Sequence, residues 1–348
     1  MKKAISLICI LFLLLMGGCL LAGCGDSKKA GESHNTVTIR VAHFPNITHA
    51  QALVGLADGT FQKALGPNVV IDRKSFNAGP EEIEALLAGE VDLGYIGPGP
   101  AINGYIKSKG ALKIVAGATN AGAVLVVQRD SNITKITDLA GKKVAVPQFG
   151  NTQDLSLRQL LQQANLKTID KGGNVEALQI KNPDILSLFS QKKIDAALVP
   201  EPWGARLVKE ANGKILLDWN QVWRNGNYST AIVIVSSKFL AKHPDLVHKW
   251  LEAHVALTEK IAKNPEATKA IINQQIKELT GKNLPKDILD QAFTRVIPTY
   301  DPAKDSIIAF VDIAYNAGYL KERADITPIF ALDQLNEVVE EKGLPLVK

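Results

Sequence analysis

Apolar and polar residues follow two different periods along the chain from residue 38 onward. Mostly apolar runs of strand length lie at 38–44, 69–76 and 91–97, and apolar positions recur at helical spacing across 48–65 and 80–90. Strands that alternate with helices in this way are typical of a parallel sheet covered by helices on both faces. The pattern therefore predicts an α/β fold.

The same order of elements recurs later in the chain. The stretch "RVAHFPNIT" has a counterpart in "KVAVPQFGNT", and "LLAGEVDLGYIGPGP" has one in "LFSQKKIDAALVPEP". Val41 and Val144 are 103 positions apart, and so are Asp92 and Asp195. Because two separate anchors share one offset, we predict two lobes of similar construction.

Two further apolar runs, at 123–130 and 230–237, flank the second set of elements. We predict that they carry the chain between the lobes. The first lobe would then comprise residues 36–122 and 235–348, and the second would comprise 123–234. The chain beyond 237 is predicted to be mostly helical from its apolar spacing.

Candidate binding residues lie where a predicted strand ends and a predicted helix begins, at 44–50, 96–102, 149–155 and 199–205. Ligands of open α/β sheets bind at such carboxyl ends of strands. Free N–H groups and the helix dipole there suit an anion. The candidates are Phe44, Asn46, Thr48, His49, Gly97, Pro98, Gly99, Gly150, Asn151, Thr152, Gln153, Glu201 and Trp203.

Several of these residues also have a structural interpretation. Asn46, Thr48 and Thr152 are residue types that cap helices, and the glycines could serve only the turns. Trp203 could pack in the core rather than line a cleft. His43 and His49 have no carboxylate or third histidine at metal-ligand spacing, so no metal site is predicted.

The N-terminus has the pattern of an export signal. Residues 1–23 combine Lys2 and Lys3 with an apolar run and small residues. The sequence Leu21-Ala22-Gly23-Cys24 resembles the bacterial lipobox, which predicts lipidation of Cys24, with Cys19 as the alternative. The polar residues 24–35 are predicted to form a flexible tether. An exported protein held at the membrane surface is the expected result.

Charge and cysteine content narrow the function. Removal of Lys2 and Lys3 would lower the formal charge of the 348-residue chain from +5 to +3, which is too mild to indicate nucleic-acid binding. All three cysteines, Cys9, Cys19 and Cys24, lie in the N-terminal segment. The body therefore has no disulfide and no cysteine nucleophile. No GxSxG, P-loop, HExxH or Rossmann motif occurs either, so we predict no catalytic residue and no cofactor.

Four stretches carry a family resemblance: "VAHFPNITHAQALVGLADG", "EVDLGYIGPGPAI", "VAVPQFGNTQD" and "VPEPWGARL". In this order behind a lipobox, they resemble solute-binding proteins of ABC importers, specifically the nitrate, sulfonate and taurine branch. The resemblance covers 36–340. It implies a two-lobed periplasmic-binding-protein fold of type II, with two crossover strands and a ligand cleft between the lobes. It also implies a monomer that delivers a small anionic solute to a membrane permease without chemistry.

The resemblance leaves the ligand open. A sulfonate has a fixed charge, three acceptor oxygens and an apolar tail, which would suit four helix ends together with Phe44, Tyr95 and Trp203. We therefore expect an aliphatic sulfonate or taurine, with nitrate as a second candidate. The branch also includes binders of thiamine-pyrimidine precursors, which "PNITHA" resembles. A related pyrimidine synthase uses a cysteine-rich motif that is absent after Cys24.

Overall fold

The computed structural model describes residues 36–348, so the predicted signal peptide, the tether and Cys24 lie outside the described residues. Within the described range the strands are β1 (Val37–His43), β2 (Val69–Ser75), β3 (Leu93–Ile96), β4 (Leu112–Ala121), β5 (Ala123–Gln128), β6 (Lys143–Val146), β7 (Glu176–Gln179), β8 (Ala196–Pro200), β9 (Gly213–Leu217), β10 (Ser229–Ser236) and β11 (Val296–Pro298). The predicted strands at 38–44, 69–76 and 91–97 correspond to β1, β2 and β3.

The helices of the same range are α1 (Ala50–Ala57), α2 (Thr60–Leu65), α3 (Gly79–Leu87), α4 (Pro98–Ser108), α5 (Thr152–Gln163), α6 (Asn182–Ser190), α7 (Trp203–Glu210), α8 (Trp219–Val222), α9 (Ser237–Lys242), α10 (Pro244–Lys263), α11 (Pro265–Thr280), α12 (Lys286–Phe293), α13 (Lys304–Asn316) and α14 (Asp333–Glu341). The single helix predicted at 48–65 is instead a 3-10 turn at Ile47–His49 followed by α1 and α2. Gly59 separates α1 from α2 with φ of +75°, a conformation that favours glycine.

The strands form two sheets. The larger has the order β11-β4-β10-β3-β1-β2 and the smaller β7-β6-β8-β5-β9. The pairs β1–β2, β1–β3, β6–β7 and β6–β8 are parallel, but β10, β11, β5 and β9 pair antiparallel with their neighbours. The parallel pairs agree with the predicted parallel arrangement, and the antiparallel strands were not predicted. β5 and β10 are each the first strand after the chain crosses from one sheet to the other. Each runs antiparallel to the neighbouring strand of the parallel set.

The two sheets repeat the same register, which confirms the predicted internal correspondence. Val41 is opposite Leu93 in the larger sheet, and Val144 is opposite Ala196 in the smaller one, so both partners shift by the same 103 positions. The Asp92 carboxylate accepts the backbone N–H of Arg40 at 2.9 Å. Similarly, Asp195 accepts the backbone N–H of Lys143 at 2.8 Å.

Both sheets are buried on both faces. In β1, Val41 belongs to one apolar cluster and its neighbour Ala42 to another. In β6, Val144 and Ala145 divide in the same way between two other clusters. Since neighbouring residues of a strand point to opposite faces, helices cover both faces of each sheet, as the sequence predicted.

The chain passes from the larger to the smaller sheet through Gly122, between β4 and β5. It returns between β9 and β10, and the predicted return at 235 falls within β10, which pairs entirely with the larger sheet. The limits of the two lobes stay a prediction. Among the described residues, every helix is too short or too polar to cross a bilayer.

Candidate functional site

All four predicted strand-to-helix junctions reach one small cavity, called the inner cavity here. Its volume is about 30 Å³, enough for about two water molecules. Eight of the predicted site residues line it: Phe44, Asn46, Thr48, His49, Gly97, Asn151, Thr152 and Gln153. Five others do not line it: Pro98, Gly99, Gly150, Glu201 and Trp203.

The N-terminus of α5 supplies open backbone donors to this cavity. The Asn151 side chain caps the helix and accepts the N–H of Asp154 at 2.8 Å, while the N–H of Asn151 itself donates to Gln148. Thr152 and Gln153 are the first two helical residues, whose N–H groups have no partner within a helix. In the described part of the chain neither N–H donates a hydrogen bond. Both are therefore free to bind a ligand.

A neutral histidine lines the cavity from the larger-sheet side. Nδ1 of His49 accepts the backbone N–H of Phe44 at 3.2 Å, so the neutral ring carries its proton on Nε2. The two rings stack with centroids 4.6 Å apart. Burial, and secondarily nearby His43, lowers the pKa of His49 well below its ordinary value. His49 thus lines the cavity as an uncharged ring.

Glycines allow the N-terminus of α4 to approach that of α5. A Cβ atom on Gly97 would lie 2.2 Å from Oγ1 of Thr152, and one on Gly99 would lie 3.2 Å from the Thr152 backbone nitrogen. The N–H of Gly99 donates to Oγ1 of Thr152 at 3.3 Å. Pro98 and Pro100 have no N–H to offer. The N–H of Gly99 is therefore already used, while the N–H of the N-cap residue Gly97 has no acceptor among the described residues.

Glu201 occupies the N-terminus of α7. Its carboxylate is fully buried, accepts the N–H of Ala205 at 3.0 Å and pairs with Arg295 at 3.1 Å. Burial raises the pKa of Glu201, while Ala205 and Arg295 act in the opposite direction. The Glu201 carboxylate therefore occupies the N-terminus of α7. It contacts other protein groups, where the sequence suggested a contact with the ligand.

Trp203 lies between the core and a second, outer cavity of about 740 Å³. Its indole packs in an apolar cluster, and its Nε1–H donates to Oδ1 of Asn46 at 3.0 Å. The guanidinium of Arg206 lies 4.7 Å from the indole ring. Both interpretations of Trp203 are thus partly correct. Asn46 does not cap a helix through its side chain.

Asp154 joins the α5 N-terminus to the end of α13. Its carboxylate accepts the N–H of Gly150 at 2.8 Å, Nε of Arg158 at 3.0 Å and the hydroxyl of Tyr319. The next residue, Leu155, is fully buried in an apolar cluster of the larger sheet. The turn that carries the open N–H groups is therefore fixed by the contacts of Asp154 and by the burial of Leu155.

The remaining cavity residues were not named as candidates: Asn77, Ala78, Gly79, Pro100, Pro147, Asn182, Pro200 and Thr230. Of these, Pro100 and Pro200 lie inside the predicted junctions at 96–102 and 199–205. Residues 77–79 lie between β2 and α3, and Asn182 begins α6 after β7. Both places are also strand-to-helix junctions. The rule that selected the other four junctions applied to 77–79 as well.

The inner cavity has no charged lining. Among the described residues that line it, none is Asp, Glu, Lys or Arg. The described part of the chain also contains no cluster of three or more His, Cys, Asp or Glu residues arranged to hold a metal. An anion here would meet backbone N–H groups and neutral side chains, assisted by the positive end of the α5 dipole.

The chain is similar in sequence to known proteins. A family model described as the NMT1-like family matches residues 32–276. The chain belongs to this family. The taurine-binding periplasmic protein of Escherichia coli (strain K12) is 31% identical over 216 residues, which are 62% of this chain and 64% of that protein. The chain thus spans slightly less than two thirds of this relative's length.

Two solved structures of the same shape were also found. The alkanesulfonate-binding protein SsuA from Xanthomonas axonopodis pv. citri, bound to MOPS, has a TM-score of 0.72 at 17% identity. The alignment covers 85% of this chain and 98% of that one. The periplasmic nitrate-binding protein NrtA from Synechocystis PCC 6803 has a TM-score of 0.73 at 16% identity. That alignment covers 89% of this chain and 90% of that one. These similarities confirm the predicted two-lobed fold.

Proposed function

We propose that this member of the NMT1-like family is the solute-binding component of an ABC importer and captures a small oxyanion in the inner cavity. The observation that carries the proposal is the α5 N-terminus, where Thr152 and Gln153 line an uncharged cavity and their N–H groups have no acceptor among the described residues. Backbone donors at a helix N-terminus are a common anion site. The neutral ring of His49 supplies a further donor.

An aliphatic sulfonate or taurine suits the surroundings better than nitrate. The inner cavity accommodates only a compact head group, whereas Asn46 and Asn182 also line the outer cavity, so an organic tail has space to extend there. Phe44 and Trp203 provide apolar surface beside this route. Taurine, alkanesulfonate and nitrate are named for the related proteins. None of these names supports the pyrimidine-precursor alternative.

The cellular setting belongs to the same proposal. The protein is exported, anchored through lipidated Cys24 and delivers its ligand to a membrane permease as a monomer. The two lobes are those that contain the larger and the smaller sheet. The lipobox at Leu21–Cys24 motivates the anchor. Labelled palmitate should enter the protein and be lost in Cys24→Ser; label that persists there and disappears in Cys19→Ser would move the anchor to Cys19.

A thermal-shift panel tests capture without chemistry. Taurine, an alkanesulfonate, nitrate, a phosphonate and a formylated aminopyrimidine are added separately to the purified protein. A ligand present at a hundred times its dissociation constant should stabilise the fold by about 2.7 kcal/mol. This raises the melting temperature of a body of this size by about 4 °C.

The outcomes of the panel are distinct. Stabilisation by sulfonates and by no pyrimidine supports the proposal. Stabilisation by the pyrimidine alone would replace the ligand class. Product detected by mass spectrometry in any of the mixtures would overturn binding without chemistry, and no shift with any anion would overturn anion capture.

A further inference from the structure

Asn182 has an unpaired acceptor at the junction of the two cavities. It lines both the inner and the outer cavity and is 5% exposed. Its Oδ1 is buried and accepts no hydrogen bond from the described residues. An unpaired buried acceptor is destabilising, so it is a feature that calls for a donor. The cavities on which Asn182 lies are the route that a ligand would take.

The start of α6 has one open backbone donor among the described residues, the N–H of Asn182, where α5 has two. Asn182 is its first residue, but the next residue, Pro183, has no N–H. The N–H of Asp184 donates to the carbonyl of Lys181 at 2.9 Å. The Asp184 carboxylate also lies in the first turn, where a negative charge offsets the positive helix end. This end of the cavity therefore differs from the α5 end, where two donors are open.

We propose that Asn182 selects ligands that carry a hydrogen-bond donor at the end opposite their anionic group. The proposal rests on the proposed function. In it, the sulfonate binds the N–H groups of Thr152 and Gln153, and an amino or hydroxyl group at the other end donates to Oδ1 of Asn182. A plain alkanesulfonate would leave this buried acceptor unpaired. Sites built for a donor discriminate strongly against analogues that lack one.

Calorimetric titration with three ligands of similar size tests this selection: taurine, its hydroxyl analogue 2-hydroxyethanesulfonate, and 1-propanesulfonate, which has a methyl group at that end. The wild type should bind taurine about ten- to a hundredfold more tightly than 1-propanesulfonate, the range expected for one charge-assisted hydrogen bond. The hydroxyl analogue should bind with intermediate affinity.

Two substitutions locate the effect at Asn182. Asn182→Leu keeps the approximate volume and should reduce taurine affinity to that of 1-propanesulfonate, with 1-propanesulfonate affinity unchanged. Asn182→Asp retains an acceptor and adds a negative charge that a helix N-terminus tolerates. It should therefore keep taurine binding and weaken 1-propanesulfonate. Melting curves of both unliganded variants establish that they fold.

The results separate this inference from the proposed function. Equal affinity of the wild type for all three ligands would overturn the role of Asn182 while leaving anion capture intact. A uniform loss of affinity in Asn182→Leu would also overturn it, because Asn182 would then contact the sulfonate. Failure of the wild type to bind any of the three would overturn both proposals.

Discussion

Replacing Thr152 by proline removes one of the two open donors of α5 with little change to the helix. Thr152 is the first helical residue, a position where proline is common. The preceding Asn151 has φ of −78° and ψ of 173°, which is compatible with a following proline. Within the protein, the substitution removes the 3.3 Å hydrogen bond from the Gly99 N–H to the Thr152 hydroxyl, which contributes about 1 kcal/mol.

The decrease in affinity should be larger than the decrease in stability. A hydrogen bond to a charged group contributes about 1.5–3 kcal/mol, so the dissociation constant of a bound sulfonate should rise about ten- to a hundredfold. Thr152→Val is the matched control, since it removes the same hydroxyl but keeps the backbone N–H. We expect its affinity to stay close to that of the wild type.

Calorimetric titration gives the affinities, and urea unfolding of the unliganded proteins gives the stabilities. If Thr152→Pro binds as tightly as the wild type while remaining folded, the α5 N-terminus does not hold the ligand. If Thr152→Val loses as much affinity as Thr152→Pro, the hydroxyl rather than the N–H is the important group.

Two further predictions concern buried polar groups. Glu82 is fully buried, neither of its carboxylate oxygens has a partner in the described residues, and burial raises its pKa well above 4.5. Because the pKa is raised in the folded state, the protonated Glu82 carboxyl group stabilises the fold fully below about pH 4.5, and this stability is lost as pH rises through the folded-state pKa. Glu82→Gln should therefore gain stability relative to the wild type between about pH 4.5 and 8. Urea midpoints of the two proteins that stay parallel across that range would contradict this. Tyr319→Phe removes a hydroxyl that donates to the Asp154 carboxylate and should lower the free energy of unfolding by about 1–3 kcal/mol, and an unchanged urea midpoint would show that Arg158 and Gly150 suffice.

Local patterns predicted the elements well because burial and helix initiation leave short-range signals. The strand-length apolar run at β1 is an example, and the shared offset of Val41 and Val144 appeared again as shared register. The direction of β5 was not predictable in this way. An apolar run of six residues reads the same for either orientation, and the orientation follows from where the chain enters the second sheet.

Contacts between residues far apart in sequence limit what could be predicted of the site. Glu201 lies between strand β8 and helix α7. Thr152 is the first residue of α5, after the turn that follows β6. Only the folded structure shows that the Glu201 carboxylate bonds to its own helix and to Arg295, which is 94 positions away. Asn182 was missed for a different reason, because the short strand β7 before it has no fully buried residue and no clear apolar period.

The uncharged lining of the inner cavity has a consequence for the electrical state of the complex. With no lysine or arginine to neutralise it and a histidine that stays uncharged, an anion held there keeps its whole charge. With a singly charged alkanesulfonate or nitrate bound, the loaded protein is one unit more negative than the empty one and migrates differently in native electrophoresis, whereas zwitterionic taurine would leave the net charge unchanged. Loading and release require no proton transfer, so the captured ion can leave as the same species that entered.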